Sequence, residues 1–175
     1  MPHMKKIIIL IGIIILARAT WYLASPLFIT TEINEKFPEL EAVLDTPDTI
    51  MTEVIPSQNQ ASQIKSGLFK NFDNFHQGSG KATIYKLSNN KNLLRFENFK
   101  VTNGPDLQVL LVKNTDPKNR NDLGDDYLNL GSLKGNIGNQ NYELPENINL
   151  ADYGSIVIYC QPFHVIFSTA SLSSL

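Results

Sequence analysis

A single cysteine, Cys160, among 175 residues rules out an intrachain disulfide. It rules out a dithiol centre acting alone as well, and with no C-x-x-C-H motif it rules out covalent c-type haem. Charge is scarce at 18%, and 15 basic against 17 acidic residues leave a net charge of -2. That balance offers no basic surface for nucleic acid, which is excluded as a partner. No H-E-x-x-H, nucleophile elbow, EF-hand spacing or paired catalytic acids occur, so hydrolase chemistry has no support. Polarity is carried instead by 18 asparagines, which favour turns over long exposed helices.

The one long hydrophobic run lies near the start. Lys5 and Lys6 precede an apolar stretch over residues 7–17, the order of a secretory signal or signal anchor. Residues 1–30 thus read as a signal anchor or a signal peptide. Ala17, Arg18 and Ala19 imitate a small-x-small cleavage site, yet apolar character resumes with Trp21, Tyr22, Leu23, Leu27 and Phe28. Retained, residues 7–29 are long enough to cross a bilayer core of about 30 Å. Arg18 would cost roughly 2.5–3.5 kcal/mol at a helix centre, which the flanking isoleucines and leucines offset. Length favours retention. The expected location is the cell membrane, single-pass with the C-terminal body extracytoplasmic, or secreted or periplasmic if cleaved.

Residues 31–45 space Ile33, Phe37, Leu40, Val43 and Leu44 as a short amphipathic helix broken by Pro38, and residues 47–66 read as a polar linker, making 31–65 a helix-plus-linker segment. From Gly67 onward, short β-branched and aromatic runs alternate with turn signals. Strands are expected at 81–87, 92–96, 107–113, 127–130, 140–144, 155–160 and 165–172, with a hairpin turn at 88–91 and one helical turn at 150–154. The predicted class is all-β: an antiparallel β-sandwich or barrel over residues 66–175, preceded by the N-terminal helix and linker.

Candidate chemistry is sparse. Cys160 shares a strand face with Ile156 and Ile158, and Gln161 and Pro162 end the strand beside it. It reads either as a small buried hydrophobe or as a thiolate that ligates a cofactor or exchanges electrons. His164, four residues on, and His76, in a glycine-rich turn, are the only other candidate ligands for a haem or metal within the body. Met51 falls in the linker and makes a poor axial ligand. The acidic, amide-rich loop at 116–126 lacks calcium spacing and carries Lys118 and Arg120, so it reads as solvated.

An ordered set of motifs runs through the body: SGLF at 66–69, HQGSGKA at 76–82, LRFENF at 94–99, GPDL at 104–107, LGSLKG at 130–135, NYELP at 141–145 and IYCQPF at 158–163. Together they resemble the DM-thirteen domain, an electron-transfer domain found beside DOMON domains in Skeletor-type proteins. The SPLFI stretch at 25–29 is similar to the membrane-proximal segment of single-pass bacterial members. The resemblance implies an extracytoplasmic, membrane-tethered domain with a redox role centred on Cys160, helped by one histidine, and a redox protein as partner. No cofactor is named by it, although haem is conceivable. Ser168 departs from the glycine usual at that position. The alternative is a non-enzymatic binding or interaction module in which Cys160 is structural and the loop at 115–126 supplies contacts.

Overall fold

The computed structural model describes residues 2–25, 29–38 and 61–175. Helix α1 (Pro2–Ala24) is followed by strands β1 (Glu32–Asn34), β2 (Ser62–Asn71), β3 (Gly78–Lys86), β4 (Asn92–Val101), β5 (Leu107–Val112), β6 (Leu128–Ser132), β7 (Ile137–Leu144), β8 (Ser155–Cys160), β9 (Val165–Ser171) and β10 (Ser173–Ser174). The strand order is β1-β7-β4-β3-β2-β9-β8-β5-β6, with β10 also on β2. The all-β class holds. The expected antiparallel sandwich or barrel is instead one curled, mixed sheet, a half-barrel, because β2 joins both halves and β1 pairs β7 in parallel.

The 88–91 turn closes the β3–β4 hairpin as expected, with Asn90 in the left-handed region at φ 66. A bulge in β4 does more for the core. Phe96 and Phe99, three residues apart, would face opposite sides of a regular strand, but the register shifts between them and Asn98 turns to φ 49. Both rings are therefore fully buried and pack with Phe69 at centroid distances of 4.8 to 4.9 Å. Ile84, Leu94, Val109, Ile156, Ile158 and Cys160 complete this main core inside the curl. On the outer face of β5, β8 and β9 a second cluster gathers Leu110, Val157, Tyr159 and Ile166 beneath Leu123. Leu123 reaches it from a 3-10 turn, Arg120–Leu123, capped by the Asn119 side chain. The helical turn expected at 150–154 is the 3-10 turn Leu150–Asp152.

Of the segment predicted as a short helix, residues 31–38 are described, and among them only Pro38 is helical. Residues 32–34 form β1, and Glu35 continues the attachment by accepting from Lys134 Nζ at 2.7 Å and from the Asn141 amide at 2.6 Å. Phe37 packs edge-on to Tyr85 at 5.0 Å, beneath the Arg95 guanidinium. At 32–34 edge pairing thus overrides helical spacing, since the backbone of β7 offers more partners than an isolated turn. Leu40, Val43, Leu44 and Met51 lie outside the described residues, as do Pro26, Leu27 and Phe28 of the SPLFI stretch. Of the predicted linker, residues 62–66 are already the start of β2.

Ser168 is fully buried in β9, and its hydroxyl donates to the Lys70 carbonyl at 2.7 Å. Gly78 opposite leaves the room: a Cβ there would overlap the Ser168 side chain.

Turns 72–77, 102–106, 133–136 and 161–164 all emerge at one pole. The cross-strand partners Asn71↔Ser168, Gly78↔Val101, Lys100↔Ile137 and Leu107↔Cys160 place them there. The chain from α1 enters at the same pole, where Thr31 N donates to Asn136 Oδ1 and Asn103 Nδ2 to the Ile29 carbonyl.

The α1 side chains are described from Lys6 to Trp21. Among the described residues no helix is long and apolar enough to cross a membrane.

Candidate functional site

β8 is buried along its whole length, flanked by β5 and β9, and ends at Cys160 because Gln161 and Pro162 turn the chain. Alternation sends Ile156, Ile158 and Cys160 into the main core and Val157 and Tyr159 to the outer cluster. The thiol is 0% exposed. Its Sγ donates to the Pro105 carbonyl at 3.2 Å, so the loop at 103–106 lies over it. Phe167 belongs to the same core and meets the inner edge of that loop at Gly104, where a Cβ would come within 2.6 Å of the Phe167 ring. Burial pushes the thiol pKa above its usual 9.0, only partly opposed by the backbone at Phe163. The group is a neutral thiol at physiological pH.

The two histidines are not brought to it. His164 holds a left-handed backbone at φ 56, and its Nδ1 shares a hydrogen bond with Tyr159 Oη at 3.1 Å. Tyr159 points away from the main core, so His164 serves the face opposite to Cys160. There it borders a polar cleft of ≈ 680 Å³ with Arg120, Tyr127 and Tyr159. His76 Nδ1 bonds Asp73 Oδ2 at 2.8 Å, and its ring lies 4.4 Å from that of Phe167. His76 thus packs against a ring of the core cluster that also holds Cys160, and its hydrogen bond is to Asp73, not to the sulfur. The hydrogen bond from His76 holds the Asp73 carboxyl below its usual range.

None of the four clefts described is lined by Cys160. Among the described residues no group of three or more His, Cys, Asp or Glu could hold a metal. The described residues therefore do not form a haem or metal centre, and the chemistry they offer at this site belongs to the sulfur. In the 116–126 loop three carboxylates are engaged: Asp116 with Lys118 at 2.8 Å, Asp122 with the Lys118 amide at 2.8 Å and Asp126 with Lys113 Nζ at 3.1 Å. Sequence reasoning missed Pro105, Phe167 and Tyr159 as the groups around Cys160 and His164. The GPD turn before Leu107 was the only signal, because Leu107 pairs with Cys160 across the sheet.

A curled β-domain with one sealed thiol at a strand end, and no metal cluster among the described residues, defines a small domain with a single candidate redox group. The family model described as "Electron transfer DM13" matches residues 69–172, more than half of the chain. The chain belongs to that family. No curated protein and no solved structure matches it.

Proposed function

We propose that this DM13 domain exchanges electrons on the outer side of a membrane, with Cys160 as the working group and α1 as the tether. The family match, which encloses Cys160, carries the electron-transfer part. Support for the tether comes from α1. Nine isoleucine and leucine side chains at 7–16 are apolar on all sides of the helix, and each is about half exposed or more. A helix apolar all round is stable only when something apolar surrounds it, and a bilayer supplies that. Lys5 and Lys6 orient the body outward.

With one cysteine and no metal-holding group among the described residues, the proposed exchange runs through a disulfide of a partner protein. The Cys160 thiol gives its proton to water once the 103–106 loop lifts. The thiolate then attacks one partner sulfur, a new S–S bond links the two chains, and the other partner sulfur leaves as a thiolate. Cys160 is oxidised and the departing sulfur reduced by the same amount.

The test treats the full chain, without denaturant, with an aromatic disulfide whose thiolate absorbs on release. One equivalent released by the parent chain and none by Cys160→Ser is the expected result. Release only after unfolding overturns the redox role of Cys160. It would favour the second reading, an interaction module with a structural cysteine, which the complete burial of the thiol also supports.

A further inference from the structure

Two large aromatic side chains stand in water at the pole where α1 joins the body. Phe75, in turn 72–77, is 83% exposed and Phe163, in turn 161–164, is 69% exposed. Neither is a loose end. Asp73 Oδ1 accepts from the amides of Phe75 and His76 at 2.7 Å each, which fixes the first turn with Phe75 at its tip. The Gln161 amide donates to the Asp106 carbonyl at 3.2 Å, and His164 holds its left-handed turn against Tyr159. The 4.4 Å contact of His76 with Phe167 locks the first turn against β9, the strand that the second turn begins.

The chain path brings the same pole to the end of the apolar helix. From Trp21 to Ser25 a helix rises about 6 Å. The Ile29 amide donates to the Ser25 carbonyl at 3.1 Å, and Ile29 and Thr31 are bonded to Asn103 and Asn136 of the body. No long spacer separates helix from domain, so a bilayer holding α1 would meet this pole first.

The geometry points to a lipid surface as the occupant: Phe75 and Phe163 enter the interfacial layer of the bilayer in which α1 sits, fixing the domain with its loop pole down and Cys160 just above the membrane. Phenylalanine is among the apolar side chains that bury into the headgroup–acyl boundary of a bilayer, and exposed apolar tips on rigid turns carry little ordering cost. Asp73 Oδ2 is hydrogen-bonded to His76 Nδ1 at 2.8 Å, and the pole has no run of basic residues, so insertion is apolar rather than electrostatic. This inference rests on the tether reading of α1.

The experiment uses the full chain in phosphatidylcholine vesicles whose acyl chains are brominated near the carbonyl end. Trp21→Phe removes the native emitter. Single Phe75→Trp, Phe163→Trp and, at the opposite pole, Asn89→Trp variants are then compared with unbrominated vesicles. Roughly two-fold loss of emission is expected from the first two, as for interfacial aromatics, and none from the third. Unquenched Phe75→Trp and Phe163→Trp in chains that still float with the vesicles overturns the docked pole and leaves the tether intact, making the two rings a contact for a protein. Failure of the parent chain to float, with Trp21 unquenched, overturns the tether and the docked pole together.

Discussion

Cys160 and His164, four residues apart in sequence, face opposite sides of the sheet: the thiol bonds the Pro105 carbonyl at 3.2 Å while the imidazole bonds Tyr159 at 3.1 Å. The turn at 161–164 reverses the chain, and the left-handed His164 carries its ring to the outer face. Any redox work by Cys160 therefore proceeds without His164 as a ligand.

Reaction of Cys160 with a disulfide probe slows by at least about tenfold in the folded chain, relative to urea-unfolded chain, because the thiolate is disfavoured and covered. Since burial raises the folded pKa above 9.0, the folded state keeps this proton to higher pH than the unfolded state. The associated stability is fully present below 9.0 and is lost as pH rises through the folded value. Stopped-flow rates across neutral to alkaline pH, paired with urea melts, check both statements.

Phe96→Ala removes a fully buried ring that touches Phe69, Phe99 and Tyr142. The expected cost is about 3–5 kcal/mol, read as a lower urea midpoint with unchanged slope.

Gly138 holds φ 108 and lies so close to the Ile33 carbonyl that a Cβ would overlap it. Gly138→Ala should loosen β1 from β7 and cost about 1–3 kcal/mol. Amide exchange at Ile137, whose N–H bonds the Thr31 carbonyl at 3.2 Å, accelerates if so, while β8 amides stay protected.

Burial alone would raise the Glu35 carboxyl pKa, but Lys134 and the Asn141 amide outweigh it and hold the group below 4.5. A depressed folded pKa gives stability that is present above 4.5 and lost as pH falls through the folded value. The Asn141 amide is then expected to exchange faster on acidification, once the intrinsic pH dependence is divided out. Glu35→Gln should flatten that response, and exchange in the parent that ignores acid would refute the role of Glu35.

Strand positions from residue 81 onward were readable because period-two burial is local: 155–160 is β8 residue for residue, and the helical turn at 150–154 appears as a 3-10 turn. The strand over 62–71 was hidden behind Ser62, Gln63 and Lys65, polar residues whose strand state depends on β3, β9 and β10 alongside them.

By itself, the sequence determined the all-β class, the membership in the DM13 family and the face of β8 on which Cys160 lies, because alternation, turn chemistry and ordered motifs are written in neighbouring residues. Tertiary structure alone decided that residues 32–34 add a parallel strand, that Pro105 caps the thiol and that His164 turns away from it. Each of those depends on backbone partners distant in sequence, and hydrogen-bond pairing across a sheet edge has no local signature.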